Sequence, residues 1–291
     1  MCCWAARSRN RIRVYWSHYA TWRINHPSLY KPAITRLDGV KAIGAEVRDK
    51  GFTALKTNIF LYEGGRPRAW RPGFSVPFLP DKHVLRNLRI HLAAMREGAG
   101  PDVDLLLDLN FNAKTEGYLK ILKAIADFDM FWVEIDSYHP EALAYIRRQS
   151  PHPISSCETL LGLREFLPYL REQAMDVAII DAVWNGVWQS MKIATAADAF
   201  EVNIAPHNFY GHLCTMMNAH FAAAVPNLLR IMEVDVDRLA WDDELFTNVP
   251  QFEDGHLVVP DTPGWGTDPN EEAIRAHPPK PGGGLLHYRQ P

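Results

Sequence analysis

Five polar residues end successive apolar runs in the middle of this chain, at nearly even intervals. They are Asp108 after DVDLLL, Glu134 after FDMFWV, Glu158 after PISSC, Asp181 after DVAII and His207 after VNIAP. Such runs are typical of buried strands, and the stretches between them have the apolar spacing of helices. In a parallel (β/α) barrel the C-terminal ends of the strands meet at one mouth. We therefore expect these five side chains to lie close together.

The first three of these residues are carboxylates, separated by 26 and 24 residues, or about one β/α unit each. Mg²⁺ prefers oxygen ligands in octahedral geometry and keeps positions open for water or substrate. Asp108, Glu134 and Glu158 therefore predict a divalent-cation site, with Mg²⁺ as the ion. A strand-end acid also serves as a helix cap or as the partner of an arginine. That alternative stays open for each of the three taken alone.

Asp181 and His207 follow the next two predicted strands and would be neighbours in the mouth. A carboxylate that accepts a hydrogen bond from one imidazole nitrogen leaves the other nitrogen as a base of raised basicity. The pair therefore predicts a general base. A structural histidine is the alternative interpretation.

Four further polar residues have positions that would face the same mouth. Lys56 and Asn58 lie two apart on the second predicted strand, so they face the same side. A lysine there would neutralise an anionic substrate, whereas an asparagine only forms hydrogen bonds. Asn110, two residues after the first predicted metal ligand, is a candidate for substrate contact, and Glu233 would close the ring beside the histidine. Cys157 is interpreted as a small core residue rather than a nucleophile.

The elements that would hold these residues are eight strand candidates, which begin at Ile12 and alternate with amphipathic stretches. We predict one α/β domain, a TIM-like (β/α) barrel over residues 12–238. Residues 239–291 are rich in Pro and Gly and predict an extended tail. Residues 61–80 predict a long functional loop. Its arginines (Arg66, Arg68 and Arg71) would contact an acid's carboxylates or hydroxyls, or solvent alone.

The composition limits the partners of this chain. It has 291 residues and a net charge of −3, with no basic tract, so we expect no nucleic-acid or membrane-surface partner. No apolar run approaches the roughly 20 residues that span a bilayer, and the N-terminus lacks the apolar core of a signal peptide. The four cysteines lack the paired spacing of a zinc site. We therefore expect a cytoplasmic protein with free thiols.

Short motifs in these positions resemble the barrel of the enolase superfamily, in its mandelate racemase and muconate lactonizing enzyme subgroup. The resemblance covers residues 11–235 and implies a modified (β/α)7β barrel. It rests on DLN at 108–110, WVE at 132–134, CE at 157–158, IID at 179–181, APH at 205–207 and the glutamate of IMEVD at 233.

The resemblance implies a chemistry for these residues. The three carboxylates would be the Mg²⁺ ligands, and His207 paired with Asp181 would remove the proton α to a substrate carboxylate. Lys56, a protonated Glu233 and the ion would stabilise the enediolate, as in other enolase-type sites. The physical requirement is general, because an α proton of a carboxylate is very weakly acidic and its removal needs strong electrostatic stabilisation.

Departures from the family pattern favour dehydration. Asn58 stands where the racemase carries a lysine that serves as a second base, so two-base racemisation is disfavoured. A single base fits loss of water from an acid sugar (an aldonate or aldarate), which gives a 2-keto-3-deoxy acid. His207, His18 or Tyr210 would return a proton to the departing hydroxyl, and His18 is also a candidate for substrate contact. Asn110 replaces a histidine of galactonate dehydratase, so that enzyme's substrate is not carried over.

Two alternatives stay open: a racemase or epimerase of a 2-hydroxy acid, and a barrel without activity that serves in binding or assembly. The second alternative arises because family barrels are preceded by an α+β capping domain of about 100 residues, which this sequence does not supply. Residues 1–11 resemble a remnant of the linker to that domain. We expect a truncated or degenerate relative, with an acid-sugar substrate and a homo-oligomeric state.

Overall fold

The computed structural model describes residues 8–63, 66–70, 79–229, 231–239 and 241–278. The strands are β1 (Arg11–Ser17), β2 (Ala54–Thr57), β3 (Phe60–Glu63), β4 (Arg66–Ala69), β5 (Asp104–Asp108), β6 (Met130–Glu134), β7 (Ile154–Ser156), β8 (Val177–Ile180), β9 (Asn203–Pro206), β10 (Met232–Asp235), β11 (Phe252–Glu253) and β12 (His256–Val258). The helices are α1 (Thr21–Asn25), α2 (Leu37–Asp49), α3 (Lys82–Ala99), α4 (Thr115–Ala124), α5 (Pro140–Gln149), α6 (Gly162–Arg171), α7 (Ala182–Ala199), α8 (His212–Ala224) and α9 (Glu271–Ala276).

Eight of the described strands form a closed parallel barrel. The order is β1, β2, β5, β6, β7, β8, β9, and β10 pairs in parallel with β1. A parallel bridge between Ile204 and Leu228 links β9 to the segment before β10. Helices α2 to α8 follow the first seven barrel strands in turn, and in the described chain no such helix follows β10. The predicted TIM-like α/β fold with (β/α)7β order is therefore confirmed.

Alternation along the strands gives the barrel an apolar interior with a polar ring above it. The interior cluster includes Tyr15, Ala54, Leu106, Trp132, Ile179, Ala205 and Ile231. Two residues further along each strand, the same facing is occupied by a polar side chain. These polar residues are Ser17, Lys56, Asp108, Glu134, Asp181, His207 and Glu233. The two-residue period therefore places the ring of polar side chains directly above the apolar interior cluster, which we call the apolar plug.

Local signals explain where α2 and α3 begin and end. Gly51 has φ +77 just after α2, a conformation that glycine adopts without strain. Asp81 caps α3, because its side chain accepts hydrogen bonds from the backbone N–H groups of His83 and Val84. The two helices approach closely at Gly98, where an added Cβ would lie 2.2 Å from a backbone oxygen of α2.

The predicted loop and the predicted tail each contain a β-hairpin. Residues 61–80 contain the hairpin β3–β4, and Arg68 is exposed on β4. Arg71 lies outside the described residues, as does the side chain of Arg66. The tail is not uniformly extended: β11 and β12 form a hairpin, and β12 pairs antiparallel with β1, which buries Leu257 completely. An Asp-Gly turn between alternating residues was the overlooked signal.

The domain boundaries at residues 12 and 239 remain predictions. Arg11, assigned to the linker, is the first residue of β1, and residues 1–7 lie outside the described part of the chain. Among the helices that the structure describes, none has both the length and the apolar character needed to cross a membrane.

Candidate active site

Lys56 lies at the centre of the polar ring. Its Nζ is 2.8 Å from Glu134 Oε2, 2.9 Å from Glu233 Oε1 and 3.8 Å from Asp108 Oδ2. All four side chains are buried. Burial lowers the pKa of Lys56, but attraction by Glu134 and Glu233 outweighs it and raises that pKa well above its ordinary value. Lys56 is therefore a fixed positive charge rather than a base.

The predicted metal ligands meet on adjacent strands. Asp108 pairs in register with Glu134, and Glu158 follows the next strand. Burial, together with the negative charges of Asp108 and Glu158, raises the pKa of Glu134 well above its usual range, although Lys56 opposes the shift. Burial likewise raises the pKa of Glu158 to about 8, with Asp136 as the next cause. The charge of Lys56 therefore offsets only part of the effect of burial and of the neighbouring acids on Glu134.

A divalent cation fits these residues by charge and ligand type. Glu134 Oε1 is buried and has no hydrogen-bond partner, so one carboxylate oxygen is available as a ligand. In the described residues no three Asp, Glu, His or Cys side chains already form a converged metal-binding group. Lys56 supplies the nearest positive charge instead. Asp108, Glu134 and Glu158 are the residues that would hold the ion.

Asp181 holds His207 and caps a helix at the same time. Its Oδ2 lies 2.7 Å from His207 Nδ1 and accepts a hydrogen bond from the Tyr210 hydroxyl at 2.7 Å. Its Oδ1 accepts hydrogen bonds from the backbone N–H groups of Val183 and Trp184, each at 2.8 Å, at the start of α7. Asp181 therefore both orients the imidazole of His207 and caps α7.

The other nitrogen of His207 faces the carboxylates. Nε2 is 3.4 Å from Glu158 Oε2 and 3.8 Å from Glu233 Oε2. Burial lowers the pKa of His207, but the charge of Glu158 and the hydrogen bond to Asp181 raise it to about 10. With both acids ionised the ring is an imidazolium. The charge of Glu158 is thus the largest cause that raises this pKa, followed by Asp181 and Glu233.

Glu233 lies near the side chains of Lys56 and His207 and accepts two hydrogen bonds. Burial raises its pKa, but the positive charges of Lys56 and His207 outweigh burial and lower that pKa below its usual range. The Ser17 hydroxyl donates to Oε1 at 2.5 Å, and the Asn208 backbone N–H donates to Oε2 at 3.0 Å. These donors stabilise the charged form. These contacts favour the ionised form of Glu233, whereas the protonated form that the resemblance implies stays a prediction.

The three predicted substrate-contact residues lie around the mouth. Asn58 donates a hydrogen bond to the Asp108 carbonyl at 3.2 Å and accepts one from the Thr21 hydroxyl, so its side chain links the start of α1 to the end of β5. Asn110 has φ +43, and its backbone N–H donates to the Asp108 carboxylate at 2.9 Å. His18 lies 2.8 Å from the Ser17 hydroxyl through Nδ1. Their contact with a substrate stays a prediction.

An aromatic wall stands beside the polar ring. The rings of His18 and Phe209 have centroids 3.8 Å apart, and Trp22 stacks on Phe209 at 5.4 Å. Trp22 also donates a hydrogen bond through its indole nitrogen to Asp235 at 2.9 Å. The loops after β1 and β9 are therefore fixed against each other on one side of the mouth.

Sequence reasoning missed three residues of the site: Ser17, Asp136 and Asn208. Ser17 and Asp136 were accessible to the alternation argument, because each lies two residues after an inward-facing residue of the same strand. Asn208 carried no sequence signal, since its contribution to Glu233 is a backbone N–H.

A closed (β/α) barrel whose mouth holds buried carboxylates, a lysine and an Asp–His pair defines the class of this protein. Residues 40–273 match the family described as Enolase C-terminal domain-like. The chain therefore belongs to the enolase superfamily, as the sequence motifs predict.

Known relatives differ in the activities given to them. A D-gluconate dehydratase of Thermoproteus tenax is 28% identical over 81% of this chain and 46% of its own length. A D-xylonate dehydratase of Haloferax volcanii is 25% identical over 92% of this chain and 62% of its own length. The chain thus spans roughly half of these relatives.

A solved structure is more similar in sequence. It is a proposed L-alanine-DL-glutamate epimerase from Burkholderia xenovorans strain LB400, bound to magnesium and fumarate. The two chains are 66% identical with a TM-score of 0.94, and the match covers 98% of this chain and 72% of that one.

Proposed function

We propose that this chain catalyses the Mg²⁺-dependent removal of the proton α to the carboxylate of an acid sugar, followed by loss of water. The observation that carries the proposal is the direction of His207: Asp181 fixes Nδ1, and Nε2 faces the carboxylate cluster. The magnesium in the 66% identical structure and the dehydratase names of the relatives support it. The substrate class is a small hydroxylated carboxylic acid.

Each residue of the site has a separate role in the proposed proton abstraction. Mg²⁺ held by Asp108, Glu134 and Glu158 would offset the charge that develops on the substrate carboxylate. Lys56 adds a second fixed positive charge in a region of low dielectric, where electrostatic stabilisation is strong. His207 takes the α proton through Nε2, and Asp181 stabilises the imidazolium that forms.

Water then leaves from the neighbouring carbon. The electron pair of the former C–H bond forms the carbon–carbon double bond, the β C–O bond breaks, and the hydroxide takes a proton to leave as water. We assign that proton to His207, which carries the α proton on Nε2 after the first step. The Tyr210 hydroxyl instead donates its hydrogen bond to Asp181. The resulting enol becomes the 2-keto-3-deoxy acid.

Dehydration needs one base, and this favours it over racemisation. Two-base racemisation needs a second acid–base group across from His207. Lys56 is paired with two carboxylates, and its raised pKa keeps it protonated. Asn58, in the position of the racemase lysine, has no proton to exchange near neutral pH.

Epimerisation is the second candidate, because the 66% identical structure carries an epimerase name. It would require a proton donor other than Lys56 on the face opposite His207. The third candidate is a barrel without catalytic activity that serves in binding or assembly. We also propose a cytoplasmic location and a homo-oligomeric state, in keeping with the composition and the family.

The test is a screen of the purified chain with Mg²⁺ against aldonic and aldaric acids in D₂O, with His207→Ala in parallel. We expect a 2-keto-3-deoxy product from wild type and none from the variant. Deuterium at the α carbon of recovered substrate with inverted configuration, and no keto product, would replace dehydration by epimerisation. Neither exchange nor product, together with no Mg²⁺ binding, would leave the binding or assembly role.

A further inference from the structure

Asp136 lies in the same column of side chains as the predicted metal ligand Glu134. The pairing of β5 and β6 continues past the strand ends: Leu109 N donates to Glu134 O at 2.9 Å, and Asp136 N donates to Asn110 O at 3.2 Å. Two residues along an extended chain restore the same facing. Asp136 therefore lies two residues beyond Glu134, on the side of the barrel mouth. Asn110 lies two residues beyond Asp108 in the same way.

The side chain of Asp136 is only 3% exposed, yet it is incompletely paired. Its Oδ2 is buried without a hydrogen-bond partner, as is Glu134 Oε1. Burial, followed by the charges of Glu134 and Asp108, raises the pKa of Asp136 to about 8, and the backbone N–H of Cys157 opposes this shift. Two unpartnered carboxylate oxygens thus lie in one acidic region of the mouth.

We propose that Asp136 is a fourth carboxylate of the cation site, and that its unpartnered Oδ2 adds negative charge to the ion that Asp108, Glu134 and Glu158 would bind. The inference deepens the proposed function and rests on it. A buried carboxylate without a partner is costly, and a nearby divalent cation offsets that cost. The site would then bind divalent cations more tightly than three carboxylates beside Lys56 would.

A purely structural role is the competing explanation. The backbone N–H of Cys157 lowers the pKa of Asp136, and Cys157 has φ +89 directly before Glu158. Such a φ is unfavourable for a non-glycine residue and needs support from its surroundings. An asparagine would provide the same acceptor without the charge. Asp136→Asn therefore separates charge from anchoring, whereas Asp136→Ala removes both.

The experiment is isothermal titration of Mg²⁺, and separately Mn²⁺, into the full chain after treatment with EDTA. We expect Asp136→Asn to raise the Kd for both ions about 10- to 100-fold, the range for residues that support metal ligands. The matched control is Asp198→Asn. Asp198 is exposed near the C-terminal end of α7, whereas the N-terminal end of that helix lies at the site. At that distance screening should limit the change to roughly twofold. Circular dichroism confirms that each variant is folded.

The outcomes are distinguishable. A wild type that binds and an Asp136→Asn variant that binds equally would overturn the inference while leaving the proposed function intact. Weakened binding by Asp136→Ala with normal binding by Asp136→Asn would reduce Asp136 to an anchor and overturn it as well. A wild type that binds neither ion would overturn the proposed function and the inference together.

Discussion

Replacement of Lys56 by methionine should destabilise the barrel strongly, because it leaves buried charges without a partner. Lys56 Nζ is within 2.9 Å of both Glu134 and Glu233, and the three side chains are at most 2% exposed. Methionine has a similar length and no charge. Removing one member of a buried ion pair costs about 3–5 kcal/mol. We expect Lys56→Met to lower the free energy of unfolding by that amount at pH 7.5.

The pH dependence follows from the direction of the shift. The raised pKa of Lys56 means that its stabilisation is fully present below the unfolded-state value, near 10.4, and is lost as the pH rises through the folded-state value. In the variant, the unpaired acids protonate as the pH falls. The difference between the two proteins should therefore be largest near neutral pH and should shrink in acid.

The assay is urea unfolding in EDTA followed by circular dichroism, with Lys41→Met as the matched control. Lys41 lies 2.7 Å from Glu97, but both side chains are exposed, so water screens the pair and little change is expected. Added Mg²⁺ should recover part of the loss in Lys56→Met, because binding to the folded state stabilises it. Equal stability of the two variants at pH 7.5 would refute the argument that Lys56 compensates buried charge.

Three further predictions test the base and the packing. Glu158→Gln should lower the pKa of His207 from about 10, measured by NMR titration of the imidazole, so the stability due to the charged ring is lost at lower pH; an unchanged value would contradict the assigned cause. Asp181→Asn should slow α-proton exchange about 10²- to 10⁴-fold without unfolding the chain. Gly98→Ala should cost about 1–3 kcal/mol of stability through overpacking against α2. Gly211→Ala should change stability little, since its Cβ would meet its nearest atom at 3.9 Å.

Much of the fold and the positions of the site residues follow from one periodicity. Apolar residues at the inward positions and a polar residue two positions later predict both the barrel and the ring of Lys56, Asp108, Glu134, Asp181, His207 and Glu233. The structure brings these side chains together. This works because strand alternation is local, and parallel strands then align their ends.

Effects that depend on contacts between residues distant in sequence could not be predicted from this periodicity. The lowered pKa of Glu233 depends on Lys56, which is distant in sequence, and its Oε2 accepts a hydrogen bond from the backbone N–H of Asn208. The pairing of β12 with β1 joins segments about 245 residues apart, so local patterns indicate the hairpin but not its partner. Asp136 carries no strand-end signal because the apolar run of β6 ends at Glu134, although backbone hydrogen bonds to the segment after β5 continue beyond it.

The apolar plug below the ring explains why this arrangement suits catalysis. Tyr15 and Trp132 pack edge to face, 5.6 Å between centroids, and Lys56 Nζ lies 5.4 Å from the centre of the Tyr15 ring. Water therefore does not reach the charges from below, and the low local dielectric strengthens every interaction among them. In the proposed function, the same desolvation that makes the ring costly for folding would make Lys56 a preoriented positive charge for a substrate carboxylate at the mouth.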